Sequence, residues 1–157
     1  RGYYYIPHVV REIEGVQAIP EKYRMKRHTK VSPSNYVPVV EGMHEVTKSG
    51  TGAGVAIKGI DIAGKTGTVQ NPHGKNHSAY MAFAPVDDPK IAIAVVVEEA
   101  GYGATWAAPI AHLMIEHYLQ SDTAKGTSRE YLENKMKESN LIPLKYRSLQ
   151  DPSLYGN

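Results

Sequence analysis

Four consecutive residues, Lys65-Thr66-Gly67-Thr68, put a fixed positive charge and two hydroxyls around a glycine with no side chain. On an edge strand this arrangement suits an extended substrate laid alongside the main chain. Lys65 and the hydroxyls can hold a terminal carboxylate, and Gly67 lets the substrate approach the backbone. The amide of Thr68 can then donate to an oxyanion. Taken alone, the four letters fit an ordinary strand with a solvated lysine better.

The same region also spells a nucleotide-binding pattern. Gly59 and Gly64, four residues apart and followed by Lys65-Thr66, satisfy the phosphate-loop letters. Ile93 to Glu99 imitates the apolar strand and acid that hold magnesium in such enzymes. A phosphate loop works by opening a helix whose amides face the phosphates. Here Gly67, Asn71, Pro72 and Gly74 follow the pair, so no helix is expected, and no nucleotide partner. Ile60 and Ile62 are β-branched and suit a pleated strand.

Two metal patterns fail in the same way. His44-Glu45 begins a metalloprotease helix motif, but Lys48 stands where the second histidine is needed. His73 and His77 have helical ligand spacing, yet Pro72 and Gly74 place them in a loop. His112 and His117 are read as packing or facing water. No metal and no cofactor is expected.

Positioning the four residues falls to a stretch that reads as sheet. Ile60 and Ile62 alternate with Asp61 toward Thr66 and Thr68. Ser78 to Ala84 and Ile91 to Val97 are apolar on both faces, which predicts cover on both sides. Pro85 to Pro89 is turn material of hairpin length. Strands near 60–70, 77–84 and 90–98 are therefore expected to form an antiparallel meander.

A helix before the sheet is expected to be capped by Asn35, with Pro38 in its first turn and Gly50 past its end. Its buried face is read as Val39, Met43 and Val46, beside Tyr36 and Val40. A second helix opens near Thr105 and presents Trp106, Ile110, Leu113, Met114 and His117 on one face. Alanines 107, 108 and 111 would let it lie close to the sheet. Tyr3 to Ile6 and Val9-Val10, interrupted by Pro7, suggest an edge strand or an extended segment. Thr127 and Glu130 suggest a capping box before a short charged helix to about Ser139, followed by a tail. The expected division is 1–126 as one domain portion and 127–157 as an extension.

Composition bounds the reading. A chain of 157 residues, 41% hydrophobic and 22% charged, can build a real core, and its composition argues against wholesale disorder. With no cysteine, disulfides, zinc–thiolate sites and cysteine nucleophiles are excluded. No apolar run approaches the ~20 residues of a membrane-spanning helix. A net charge of +2 is too small to imply a nucleic-acid partner. Residues 1–30 carry an excess of four positive charges, read as a solvated loop rather than an anion-binding footprint. Because Arg1 stands first, the chain is expected to be a piece of a longer protein.

Lys65-Thr66-Gly67-Thr68 matches the third motif of penicillin-binding transpeptidases and serine β-lactamases. Its surroundings sharpen the match. Tyr5-Ile6-Pro7-His8-Val9-Val10, Glu41-Gly42-Met43, Gly50-Thr51-Gly52, Gly64 to Gln70, Ala82-Phe83-Ala84-Pro85 and Ala108-Pro109-Ile110-Ala111 occur in order. That set resembles the C-terminal part of the transpeptidase domain of class B penicillin-binding proteins, most of all their elongation-specific type, over about residues 3–120.

The resemblance implies an α+β fold, an antiparallel sheet with helices packed on its faces. It implies that Lys65 orients a second-motif serine and helps bind the substrate carboxylate. Thr66 and Thr68 would hydrogen-bond that carboxylate, beside Gly67, and the Thr68 amide would form half an oxyanion hole. The implied reaction is D,D-transpeptidation of peptidoglycan stem peptides through a serine acyl-enzyme, which β-lactam antibiotics intercept. The implied setting is the outer face of the cytoplasmic membrane, with the anchor upstream and a glycan polymerase of the elongation machinery as partner.

The departures matter. No serine is followed by lysine three residues on, and no Ser-x-Asn precedes Lys65. Tyr155-Gly156-Asn157 imitates the second motif but follows Lys65, and is read as coincidence. The nucleophile is thus expected outside this chain, and the chain alone is expected to be inactive. The alternatives are a β-lactamase-type hydrolase and a non-catalytic module that binds a peptide or partner.

Overall fold

The computed structural model describes residues 2–10, 12–15, 19–120 and 127–139, with side chains omitted at 127–129. The expected tail after Ser139, the Tyr155-Gly156-Asn157 triplet and the side chain of Thr127 lie outside the described residues. Two compact units divide the chain, Arg1–Gly42 and Met43–Asn157.

In the first unit, β1 (Tyr3–Tyr4) pairs antiparallel with β2 (Arg27–His28). Thr29 secures the pair: its amide and its hydroxyl both donate to the Gly2 carbonyl, at 2.9 and 3.2 Å. Lys22, Arg24, Lys26, Arg27 and Lys30 are solvent-exposed, and two of them lie on aromatic rings. Lys26 sits 4.1 Å above Tyr3 and Lys22 4.8 Å above Tyr23. Stacking on tyrosine gives these cations an intramolecular role.

Helix α1 covers Val37–Lys48 and crosses the division between the units. Asn35 does not cap it. A 3-10 turn over Pro33–Tyr36 leads directly into the helix, and the Asn35 amide donates to Ser32 inside that turn. The far end behaves as expected: the amides of Ser49 and Gly50 both close on the Glu45 carbonyl. A Cβ at Gly50 would stand 2.9 Å from Val46 Cα, so the close reversal needs glycine. Of the face expected to be buried, Tyr36, Val40, Met43 and Val46 are half-buried, and Val39 departs from it. Val39 is 57% exposed, and Thr47 is the buried residue of the helix. Its hydroxyl lies 2.5 Å from the Ile62 carbonyl, a bond that an apolar count does not register.

The second unit holds β3 (Ala63–Val69), β4 (His77–Ala84) and β5 (Ile91–Val97), ordered β3-β4-β5 and antiparallel throughout. The register pairs Lys65 with Met81, Thr66 with Tyr80 and Thr68 with Ser78. Helix α2 (Ala107–Gln120) lies on the face formed by Tyr80, Ala82, Ala84 and their β5 partners. Ala107, Ala108, Ala111 and Ile115 are wholly buried there. Short side chains let the helix axis approach the sheet closely, and the three alanines share the core face with His112 and Ile115. Met114 is 54% exposed and His117 is also exposed, contrary to the amphipathic reading.

The opposite face of the sheet was expected to be covered. Among the described residues it is not: Met81 is 58% exposed, Val96 65% and Val69 49%. Helix α3 (Thr127–Glu138) contacts α2, and no helix of the described residues is long and apolar enough to cross a membrane.

Candidate active site

Lys65, Thr66, Gly67 and Thr68 all lie on β3, which among the described residues is an edge strand of the sheet. Alternation sends Lys65 and Gly67 to the face of Met81 and Ala79, and Thr66 and Thr68 to the face of Tyr80 and Ser78. Lys65 and Thr68 are exposed, and Thr66 and Gly67 half-buried. The Lys65 ammonium folds back 2.5 Å from the Thr66 carbonyl. Among the described residues it forms no ion pair, which leaves a cation beside an open strand edge. The Lys65-Thr66 pair that ends the phosphate-loop letters thus falls on a strand, with Gly59 in a turn before it, not on the helix start that such a loop requires.

A residue outside the four-letter motif joins them. Thr51 Oγ1 lies 3.0 Å from Thr66 Oγ1. Thr51 sits in the reversal that follows α1, just before a 3-10 turn over Ala53–Val55. Only the Gly50-Thr51-Gly52 spacing hinted at it. Two hydroxyls in contact, with a third at Thr68 and an ammonium nearby, form a row of donors of the kind a carboxylate accepts.

Two further features of the site were not legible in the sequence. The segment before α2 crosses β3 so closely that a Cβ at Gly103 would stand 2.6 Å from the Gly67 carbonyl oxygen. Beneath Gly64, the residue before Lys65, lies the ring of Tyr80, with Cζ 2.6 Å from where a Cβ would be. The Tyr80 hydroxyl is 2.8 Å from His112 Nε2, and His112 Nδ1 is 2.5 Å from the Val55 carbonyl. Burial pushes the Tyr80 phenol up to about 12. Burial also holds His112 below its ordinary 6.5, partly offset by the Val55 hydrogen bond.

His44 and Asp61, 3.3 Å apart, line a cavity of about 250 Å³ together with Thr47, Lys48 and His112. His77 Nδ1 accepts the Glu99 amide at 3.0 Å, and His73 stands in the loop before β4.

The sequence matches the penicillin binding protein transpeptidase domain over residues 1–116. The chain belongs to that family. As a class B transpeptidase domain it is similar to the peptidoglycan D,D-transpeptidase MrdA of Acinetobacter baumannii, at 33% identity over 137 residues. That match covers 75% of this chain and 20% of the relative.

Solved transpeptidases share the fold. Penicillin-binding protein A of Mycobacterium tuberculosis, in its imipenem acyl-enzyme complex, aligns with a TM-score of 0.53 and 40% identity. The alignment covers 61% of this chain and 22% of that one. Pseudomonas aeruginosa PBP2 in complex with WCK 5153 aligns with a TM-score of 0.55 and 33% identity, over 64% and 22%. The chain therefore spans about a fifth of the length of the relatives it matches.

Proposed function

We propose that this chain contributes one wall of the active site of a peptidoglycan D,D-transpeptidase whose nucleophilic serine lies outside the sequence. The observation that carries the reading is the Lys65-to-Thr68 row on an open strand edge, with the Thr51 hydroxyl in contact with Thr66. Family membership supports it, as does the absence of any serine followed by lysine three residues on.

In this mechanism the serine oxygen bonds to the carbonyl carbon of the penultimate D-Ala of a stem peptide. The amide bond breaks, and the terminal D-Ala leaves with the proton on its amine. An amine from a neighbouring strand then attacks the ester, forms the cross-link amide and returns the serine its proton. Lys65 orients the second-motif serine and, with Thr66 and Thr68, holds the terminal carboxylate. Gly67 admits the peptide backbone, and the Thr68 amide stabilises the oxyanion. A β-lactam enters the same site, and its opened ring remains as a lasting acyl group.

The reaction would take place on the outer side of the cytoplasmic membrane, beside a glycan polymerase of the elongation machinery. The apolar sheet face around Met81 and Val96 is consistent with burial against a part of the longer protein.

A fluorescent penicillin tests the reading. The longer protein is expected to become covalently labelled and this chain alone to remain unlabelled; label on the chain alone would refute the external serine. Lys65→Ala in the longer protein is expected to slow labelling by at least about a hundredfold. Labelling at the parent rate would remove Lys65 from the mechanism.

A further inference from the structure

The bridge formed by Tyr80 and His112 takes no part in the chemistry just described, yet both residues are almost wholly buried, at 2% and 1% exposure. Its proton arrangement is determined. The Val55 carbonyl can only accept, so His112 Nδ1 carries the hydrogen; Nε2 then accepts, and the Tyr80 hydroxyl donates.

Each end of the bridge reaches one half of the carboxylate row. At one end Tyr80 is the cross-strand partner of Thr66 and fills the space beneath Gly64, the residue before Lys65. At the other, Val55 closes the 3-10 turn that follows Thr51. The two halves meet where Thr51 touches Thr66. An apolar pair of similar volume would fill the same core without directional bonds, whereas a satisfied polar network admits one arrangement.

We infer that His112 and Tyr80 are positioning residues, which set the spacing between Thr51 and the Lys65-to-Thr68 edge and so the geometry of the carboxylate cradle. The inference rests on the transpeptidase reading. It adds residues that touch no substrate but fix where the substrate-binding hydroxyls stand. A shift of the cradle by a fraction of an ångström is enough to slow a positioned reaction about tenfold.

The test uses the full-length protein that carries this chain. Tyr80→Phe keeps the ring and removes the donor. It is expected to lower the rate of labelling by fluorescent penicillin about tenfold. In a Thr66→Val background, where the cradle is already incomplete, the same change is expected to lower the rate less than about twofold. Should Tyr80→Phe fail to fold, His112→Gln, which keeps a donor and an acceptor, is expected to label faster than His112→Leu. Labelling of Tyr80→Phe at the parent rate overturns the inference. So does an equal loss in both backgrounds, the mark of a general structural effect, or equal rates for the two His112 variants.

If the parent protein itself is not labelled, the transpeptidase reading falls, and amide hydrogen exchange judges the bridge separately. Tyr80→Phe is expected to speed exchange in both segments 51–56 and 63–69. Unchanged exchange in either overturns the positioning role.

Discussion

Ser78 caps a helix from one residue past the start of β4: its Oγ accepts the Ala107 amide at 3.0 Å and donates to the Tyr102 carbonyl at 2.9 Å. The first turn of α2 is thus held by a residue 29 positions earlier in the chain. Ser78→Ala takes the partner from the amide of the buried Ala107, while the Tyr102 carbonyl keeps the Thr105 amide. It is expected to cost about 1–2 kcal/mol, read as a lower urea midpoint with an unchanged slope.

Gly64 tolerates no side chain above the Tyr80 ring. Gly64→Ala is expected to destabilise the fold by about 1–3 kcal/mol, since ring and strand must both move. Gly54, with nothing within 4 Å of an added Cβ, is the control. Gly54→Ala is expected to change thermal stability by less than about 0.5 kcal/mol.

Acid is expected to weaken the fold through His112. Its folded pKa lies below the ordinary 6.5, so between those two values the unfolded chain binds the extra proton. The stabilisation is complete above about pH 6.5 and is lost as pH falls through that window. His44, Lys48 and Asp61 line the same cavity, and Tyr80 faces the ring directly. The His112-specific part is therefore the difference between the parent and His112→Leu. Melting curves from pH 8 to 5 are expected to fall more steeply for the parent than for the variant.

The open sheet face makes a solubility prediction. Met81 and Val96 are more than half exposed and sit on adjacent strands. Met81→Lys with Val96→Thr is expected to reduce self-association of the chain in light scattering. The unfolding free energy is expected to shift by less than about 1 kcal/mol.

The meander was legible because its cause is local. β-branched and aromatic residues alternate or run between Pro- and Gly-rich turns, and the strands lie within one to three residues of their expected bounds. That Lys65, Thr66, Gly67 and Thr68 share one strand was legible for a related reason: four adjacent residues on a strand keep their spacing whatever surrounds it. Side-chain apolarity misled at both long helices. Val39 and Met114 look like core residues and face solvent, while Thr47 and His112 are buried; alanines 107, 108 and 111 lie close to the sheet as the sequence predicts. What decides those faces is how near each helix comes to the sheet and which carbonyls it must satisfy, and neither is written in one helix's periodicity.

From the amino acids alone came the strand order in the chain, the chemistry a lysine and two threonines can offer, and the absence of the Ser-x-x-Lys pattern. Folding alone decided that Thr51 stands against Thr66, that Tyr80 lies under Gly64, and that His112 ties both to α2. Contacts between residues 15 to 57 positions apart depend on register and helix approach, which are settled only when the whole core packs.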